Sequence, residues 1–167
     1  MILEVTNKLV INLKARDWCK LPYHDHPNGC PNYGVSEQCP PKVGIVSDVF
    51  DLGKKHWISV AEFNLSEHAE KLKAKHPGWS DKQCRCCLYW QNGVRKTLRK
   101  ECESFILNKS NHIFTLIPEA MGVNVFLTAK NMGIKINWRA FPIIYKIALI
   151  GTAKKCEENI QCSLNLQ

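Results

Sequence analysis

The sequence predicts an α/β or α+β fold: a single compact domain with a small mixed sheet, helices packed on it and a Pro/Cys-rich loop near the N-terminus. Three observations predict it. Apolar runs of strand length alternate with amphipathic segments that carry helix caps. The 167 residues fit one ordinary domain and are too few for two well-packed ones. Hydrophobic residues make up 45% and charged residues 23%, a globular balance that excludes a disordered or fibrous chain.

The elements follow in order. Leu3, Val5, Leu9, Ile11 and Leu13 fall on odd positions, which predicts one or two short strands over 2–13. Residues 17–44 have no period and carry five of the eight prolines and three of the nine cysteines. A structureless run of that length is uncommon in a compact domain and is usually functional. Something other than a hydrophobic core must hold it, and a metal is the obvious candidate. Residues 45–52 read as a short helical turn, and 56–65 as a strand with Trp57, Val60 and Phe63 among its apolar anchors.

Ser66 reads as the cap of a helix through about Lys75, with Leu65, Ala69 and Leu72 as its stripe and His76-Pro77-Gly78 as its end. Ser80 and Gln83 form a capping box. It opens a longer helix to about Phe105, which Asn92-Gly93 can bend or break. Residues 112–118 read as a strand. Pro118 and Glu119 suit the first turn of a helix that stops at Gly133. Residues 134–138 and 142–151 read as strands, the second largely buried. The domain then spans 1–151. A polar tail follows over 152–167, where no role is expected for Cys156 and Cys162.

No apolar stretch approaches the ~18–20 residues of a membrane helix. The N-terminal segment, with Glu4 and alternating polar residues, does not read as a signal peptide, so a cytoplasmic protein is expected. With 23 Lys+Arg against 15 Asp+Glu, the net charge is +8, which favours an anionic small molecule or nucleic acid as partner. Nine cysteines without a secretion signal point to metal or redox chemistry rather than a disulfide framework.

Cys19, Cys30 and Cys39 carry the strongest chemical signal. Thiolates are soft donors suited to zinc and to iron–sulfur clusters. Gly29 and Gly34 let the backbone turn tightly beside a ligand, and Pro31, Pro40 and Pro41 stiffen the loop. The spacing is not a CxxC knuckle, so it does not identify the metal, and three packing cysteines are the plainer alternative. Cys84 and Cys87 are three apart on the expected helix, on one face, and either could be a fourth ligand. Cys102 lies about 22 Å beyond Cys87 on a straight helix and cannot join the same small cluster unless Asn92-Gly93 breaks the helix into a hairpin. These cysteines could equally be core residues. His24, His26, His68 and His76 lie near these motifs and would suit zinc, or are simply solvated.

Arg95, Lys96, Arg99 and Lys100 form two adjacent i,i+4 pairs, an anion-binding ridge or an ordinary solvated helix face. Tyr89 and Trp90 precede it and could stack bases. Glu119 is a capping carboxylate or a catalytic group. No Gly-rich phosphate loop, Ser/His/Asp order or paired-carboxylate motif is present.

The run GCPNYG (29–34) followed by CPP (39–41) resembles the signature of a family of bacterial and archaeal predicted metal-binding proteins of unknown function. The run PEAMGVNVFLTAKNMG (118–133) resembles that family's C-terminal segment. The resemblance implies a metal held by cysteines, an iron–sulfur cluster foremost, at Cys30 and Cys39, with Cys19 in the place of an upstream cysteine. The family's second cysteine cluster has no match in spacing, since only CRCC (84–87) and Cys102 are available. The expected centre is therefore Cys19, Cys30, Cys39 and Cys87, with Cys84 as the alternative fourth ligand. A four-iron four-sulfur cluster is favoured and zinc is the alternative. Three thiolates would leave one iron open to substrate, as in an enzyme of sulfur or nucleotide metabolism. The rivals are a structural-zinc nucleic-acid-binding module and an iron–sulfur electron carrier.

Overall fold

The computed structural model describes residues 1–22, 26–136 and 141–155, the side chain of Leu88 excepted. The strands are β1 (Ile2–Glu4), β2 (His56–Asn64), β3 (His112–Thr115) and β4 (Ile143–Thr152). The α-helices are α1 (Val46–Val49), α2 (Leu65–Lys75), α3 (Asp81–Cys84), α4 (Gln91–Ile106) and α5 (Val125–Asn131). Three 3-10 turns complete the description: a first at Leu13–Lys20, a second at Cys87–Tyr89 and a third at Pro118–Met121.

The four strands form one sheet in the order β1-β2-β4-β3, and every pairing is antiparallel. The class is therefore α+β. The register of the central pair runs from His56↔Gly151 to Asn64↔Ile143. Alternation along the strands then sorts the core into two sides. Ile58, Val60, Ile147 and Leu149 pack on one side with Val5, Val46, Phe50, Met121, Val123 and Ala129. Ala148 and Ile150 pack on the other with Leu98 and Cys102 of α4. Burial on both faces explains why β4 reads as an almost continuous apolar run. Each fully buried Leu or Ile contributes about 1.5–3 kcal/mol relative to exposure.

Three boundaries differ from those the sequence suggests. α2 is capped by Asn64, whose side chain accepts from the Glu67 N–H at 3.1 Å; Ser66 lies inside the helix. Asn64 ends β2 with extended backbone three residues before Glu67, which is the capping geometry. The capping box at Ser80 is present, yet α3 ends at Cys84. The chain is extended at Cys86 and re-enters a helix only at Gln91. Trp90 causes the break: its ring is buried and stacks on Phe63 at 5.2 Å, and its indole N–H donates to the Arg85 carbonyl at 3.3 Å. Asn92 and Gly93 sit inside α4 without interrupting it.

The segment after β3 makes the third 3-10 turn and not a continuous helix. Gly122 then takes a left-handed φ of 91°. A Cβ there would meet Leu13 Cδ2 at 2.6 Å, the end of an exposed side chain that can turn aside, so the left-handed φ and not that contact is what favours glycine. Asn124 caps the restart at α5. At the N-terminus, the expected strands reduce to β1 and a single bridge, Ile11↔Val123. Residues 134–136 are not in a strand; the rest of that expected strand, His24, Cys156 and Cys162 lie outside the described residues. Among the described residues no helix is long and apolar enough to cross a membrane.

Candidate metal and charge centre

The Pro/Cys-rich loop is ordered by its own backbone. Asn12 caps the first 3-10 turn, which carries Cys19. The Cys30 N–H donates to the Cys19 carbonyl at 2.7 Å, the Tyr33 N–H to the Cys30 carbonyl at 3.0 Å and the Gly34 N–H to the Pro40 carbonyl at 2.8 Å. The Cys39 N–H donates to the Ser36 carbonyl, and the Cys39 carbonyl accepts from the Val43 N–H, both at 3.0 Å. The Arg16 guanidinium donates to the carbonyls of Pro41 and Val43 at 3.1 and 2.9 Å. These bonds satisfy backbone groups that an aperiodic loop would otherwise leave open.

Cys19, Cys30 and Cys39 are half-buried and free of disulfides. Burial raises the Cys19 thiol above its ordinary pKa. The charges of Cys30, Cys39 and Glu119 raise it further, while Arg16 opposes them. The three loop thiols and the Glu119 carboxyl thus share one electrostatic neighbourhood. Packing of the first 3-10 turn on the third brings them together, and the Asn12 N–H bonds the Gly122 carbonyl at 2.8 Å across that contact.

Glu119 links the loop to a second group of charges. Burial raises its carboxyl, opposed by its own backbone N–H, Lys146 and Arg95. Burial lowers the Lys146 amine; Glu119 opposes this, Arg95 adds to it, and Cys87 opposes it again. Lys146 on β4 thus feels the charges of Glu119 in the third 3-10 turn, Arg95 on α4 and Cys87 in the second 3-10 turn. Lys146 is absent from the sequence-derived candidates. Its signal was available: it is the lone cation in PIIYKIALIG, a run apolar enough to be buried on both faces.

The remaining candidates are placed elsewhere or differently. Cys84 is buried in the core beside a cavity of about 260 Å³ between α2 and α3. The chain break at Cys86 means that Cys84 and Cys87 do not share a helix face, contrary to the continuous helix expected. Cys102 is buried beneath α4, and burial, with Glu101 next to it, pushes its thiol up to about 12. Of the basic ridge, Arg95 is half-buried, whereas Lys96, Arg99 and Lys100 are exposed. The Arg99 guanidinium lies 5.8 Å from the Phe114 ring centre. His68 packs on Phe63 and His76 on Trp79, with ring centres 5.2 and 4.2 Å apart. Trp90 is buried, so of the Tyr89–Trp90 pair only Tyr89 is exposed.

The donor set fits a thiophilic metal in kind: three thiols beside a carboxyl, with a fourth thiol near that carboxyl's cationic neighbour. Among the described residues no group of three or more His, Cys, Asp or Glu side chains is arranged to hold a metal ion. No protein-family model, curated protein or solved structure matches the chain.

Proposed function

We propose that the chain is a metal protein in which Cys19, Cys30 and Cys39 hold an iron–sulfur cluster, a four-iron four-sulfur cluster foremost and zinc as the alternative. Cys87 is the fourth ligand in preference to Cys84, which is buried in the core. One observation carries the reading: the Cys19 thiol, raised first by burial, is raised further by the neighbouring charges of Cys30, Cys39 and Glu119. Thiolates gathered at one place repel each other, and a bound cation removes that penalty and deprotonates them outright. The family resemblance of residues 29–41 and 118–133 implies Cys30 and Cys39, with Cys19 in the place of an upstream cysteine; it does not extend to Cys87. Free half-buried cysteines suit a reducing compartment, in line with a cytoplasmic protein.

The cluster would supply electron transfer or, at an iron without a thiolate, a Lewis acid. The chain's own groups do the rest. Burial keeps the Glu119 carboxyl protonated to higher pH than usual, so it can hold a proton beside the centre. Arg95 and Lys146 place positive charge next to it, which suits an anionic substrate and an enzymatic role in sulfur or nucleotide metabolism. Anaerobic purification tests the reading. Brown protein with iron, sulfide and broad visible absorption supports the cluster, and colourless protein with one zinc per chain supports the alternative. Protein that takes up neither metal after anaerobic reconstitution overturns both.

A further inference from the structure

Lys146 lies midway along β4, paired with Ala61 of β2. Strand alternation puts it on the face that carries Ile144 and Ala148. Ile144 packs with Val94, and Ala148 with Leu98. Lys146 therefore lies under the 94–98 turn of α4, the turn that carries Arg95. The third 3-10 turn continues past the end of β3 beside β4 and brings Glu119 to the same place.

Two cations here lie in the field of one carboxylate, and neither closes on it. Among the described residues, Arg95 and Lys146 make no hydrogen bond or ion pair with Glu119, although each feels its charge. Lys146 is half-buried and no acid closes on it among the described residues, so a bound anion would supply a counter-charge there. A guanidinium edge offers two parallel donors and an ammonium three more, a combination matched to the oxygens of one oxyanion. The exposed Lys96, Arg99 and Lys100 have no such confinement and offer only a screened surface charge.

The geometry points to an oxyanion site: Arg95 and Lys146 together hold the carboxylate or phosphate group of a small anionic ligand between α4 and β4, with Glu119 facing it and Cys87 beside it. Neither cation is a metal ligand: the site rests on the anionic-substrate part of the proposed function and does not need the metal. Glu119 acts against the ligand when ionised and tunes which anions enter. Of the four cations read along one helix, this site uses Arg95 and joins it to a strand lysine.

The test titrates the full chain with inorganic phosphate and, in parallel, with acetate, balancing ionic strength with chloride and following amide NMR shifts. Saturable binding of at least one probe is expected, and the stronger probe identifies the oxyanion class. Arg95→Gln and Lys146→Met should each weaken it at least about tenfold. Glu119→Gln should strengthen it, a gain that a misfolded variant cannot give. The double change Lys96→Ala/Lys100→Ala should leave it unchanged. Absence of saturation in the folded wild type, unchanged affinity in Arg95→Gln, or loss in the Lys96/Lys100 variant overturns the site. Metal content is measured on every variant: metal kept while anion binding is lost separates this site from the metal centre.

Discussion

The backbone N–H of Cys30 donates to the carbonyl of Cys19 at 2.7 Å, so two candidate ligands eleven positions apart in the chain are tied main chain to main chain. Gly29 makes this contact possible. Its φ is +86°, and a Cβ on it would lie 2.6 Å from the Cys19 oxygen and 2.8 Å from the Lys20 backbone. The main chain thus holds these two cysteine positions side by side.

Replacing Gly29 is therefore expected to separate the two cysteines. Gly29→Ala meets backbone atoms that cannot swing aside, and should cost at least about 2 kcal/mol with loss of metal uptake. Gly34 also has a positive φ, +73°, but nothing lies near its Cβ position. Gly34→Ala should cost only the left-handed strain, about 1 kcal/mol. Urea unfolding midpoints of the two variants check the order, and equal costs would contradict the packing argument.

Thiolate ligation predicts a sharp division among the cysteines. Cys30→Ser and Cys39→Ser should each abolish stoichiometric metal, because a serine hydroxyl is a hard, protonated donor. Cys156→Ser and Cys162→Ser should leave metal content unchanged. Elemental analysis of anaerobically purified variants decides it. Full metal stoichiometry in Cys39→Ser would remove that residue from the centre.

Strand identity was legible because β2 and β4 are central strands whose apolar content survives any choice of face. The helix boundaries were less so. Ser66 and Asn64 are both good caps, and only the end of β2 decides for Asn64. The break at Cys86 depends on Trp90 reaching Phe63, a contact between residues 27 positions apart that no local period records. The cysteine loop was legible as a chemical site from composition. Lys146 was not, because one cation in an apolar run means little until a helix and a turn are seen to bring Arg95 and Glu119 to it.

His56 should make stability fall with acid. Its ring is almost fully buried, with 1% exposure, and Nε2 has no partner among the described residues. Burial lowers its pKa below the ordinary 6.5, against a hydrogen bond to the Lys54 backbone and the charge of Asp51. The unfolded chain then binds a proton that the folded chain refuses. This stabilisation is full above pH 6.5 and is lost as pH falls through it, at up to about 1.4 kcal/mol per pH unit. The unfolding free energy of His56→Gln should lack this step between about pH 7.5 and pH 5. Parallel profiles for variant and wild type would show that His56 does not titrate on unfolding.

Glu119 should control the reactivity of Cys19 in the metal-free chain. Burial is the main reason that the Cys19 thiol is raised, with Cys30, Cys39 and then Glu119 adding to it. Glu119→Gln removes one negative charge and leaves the other causes in place, so the thiolate forms at lower pH. Only the thiolate is nucleophilic, and the alkylation rate of Cys19 should therefore rise at fixed mildly alkaline pH, with its pH profile shifted down. Cys102 provides the internal control: its thiol, at about 12, is raised first by burial and then by Glu101, with Glu119 not among the causes. Mass spectrometry of iodoacetamide-labelled peptides reads both sites in one sample. If Cys19 accelerates while Cys102 stays unmodified, the carboxylate and the loop thiol share one field. If both accelerate, the variant has loosened the fold, and if neither does, Glu119 and Cys19 are not electrostatically coupled and the centre divides in two.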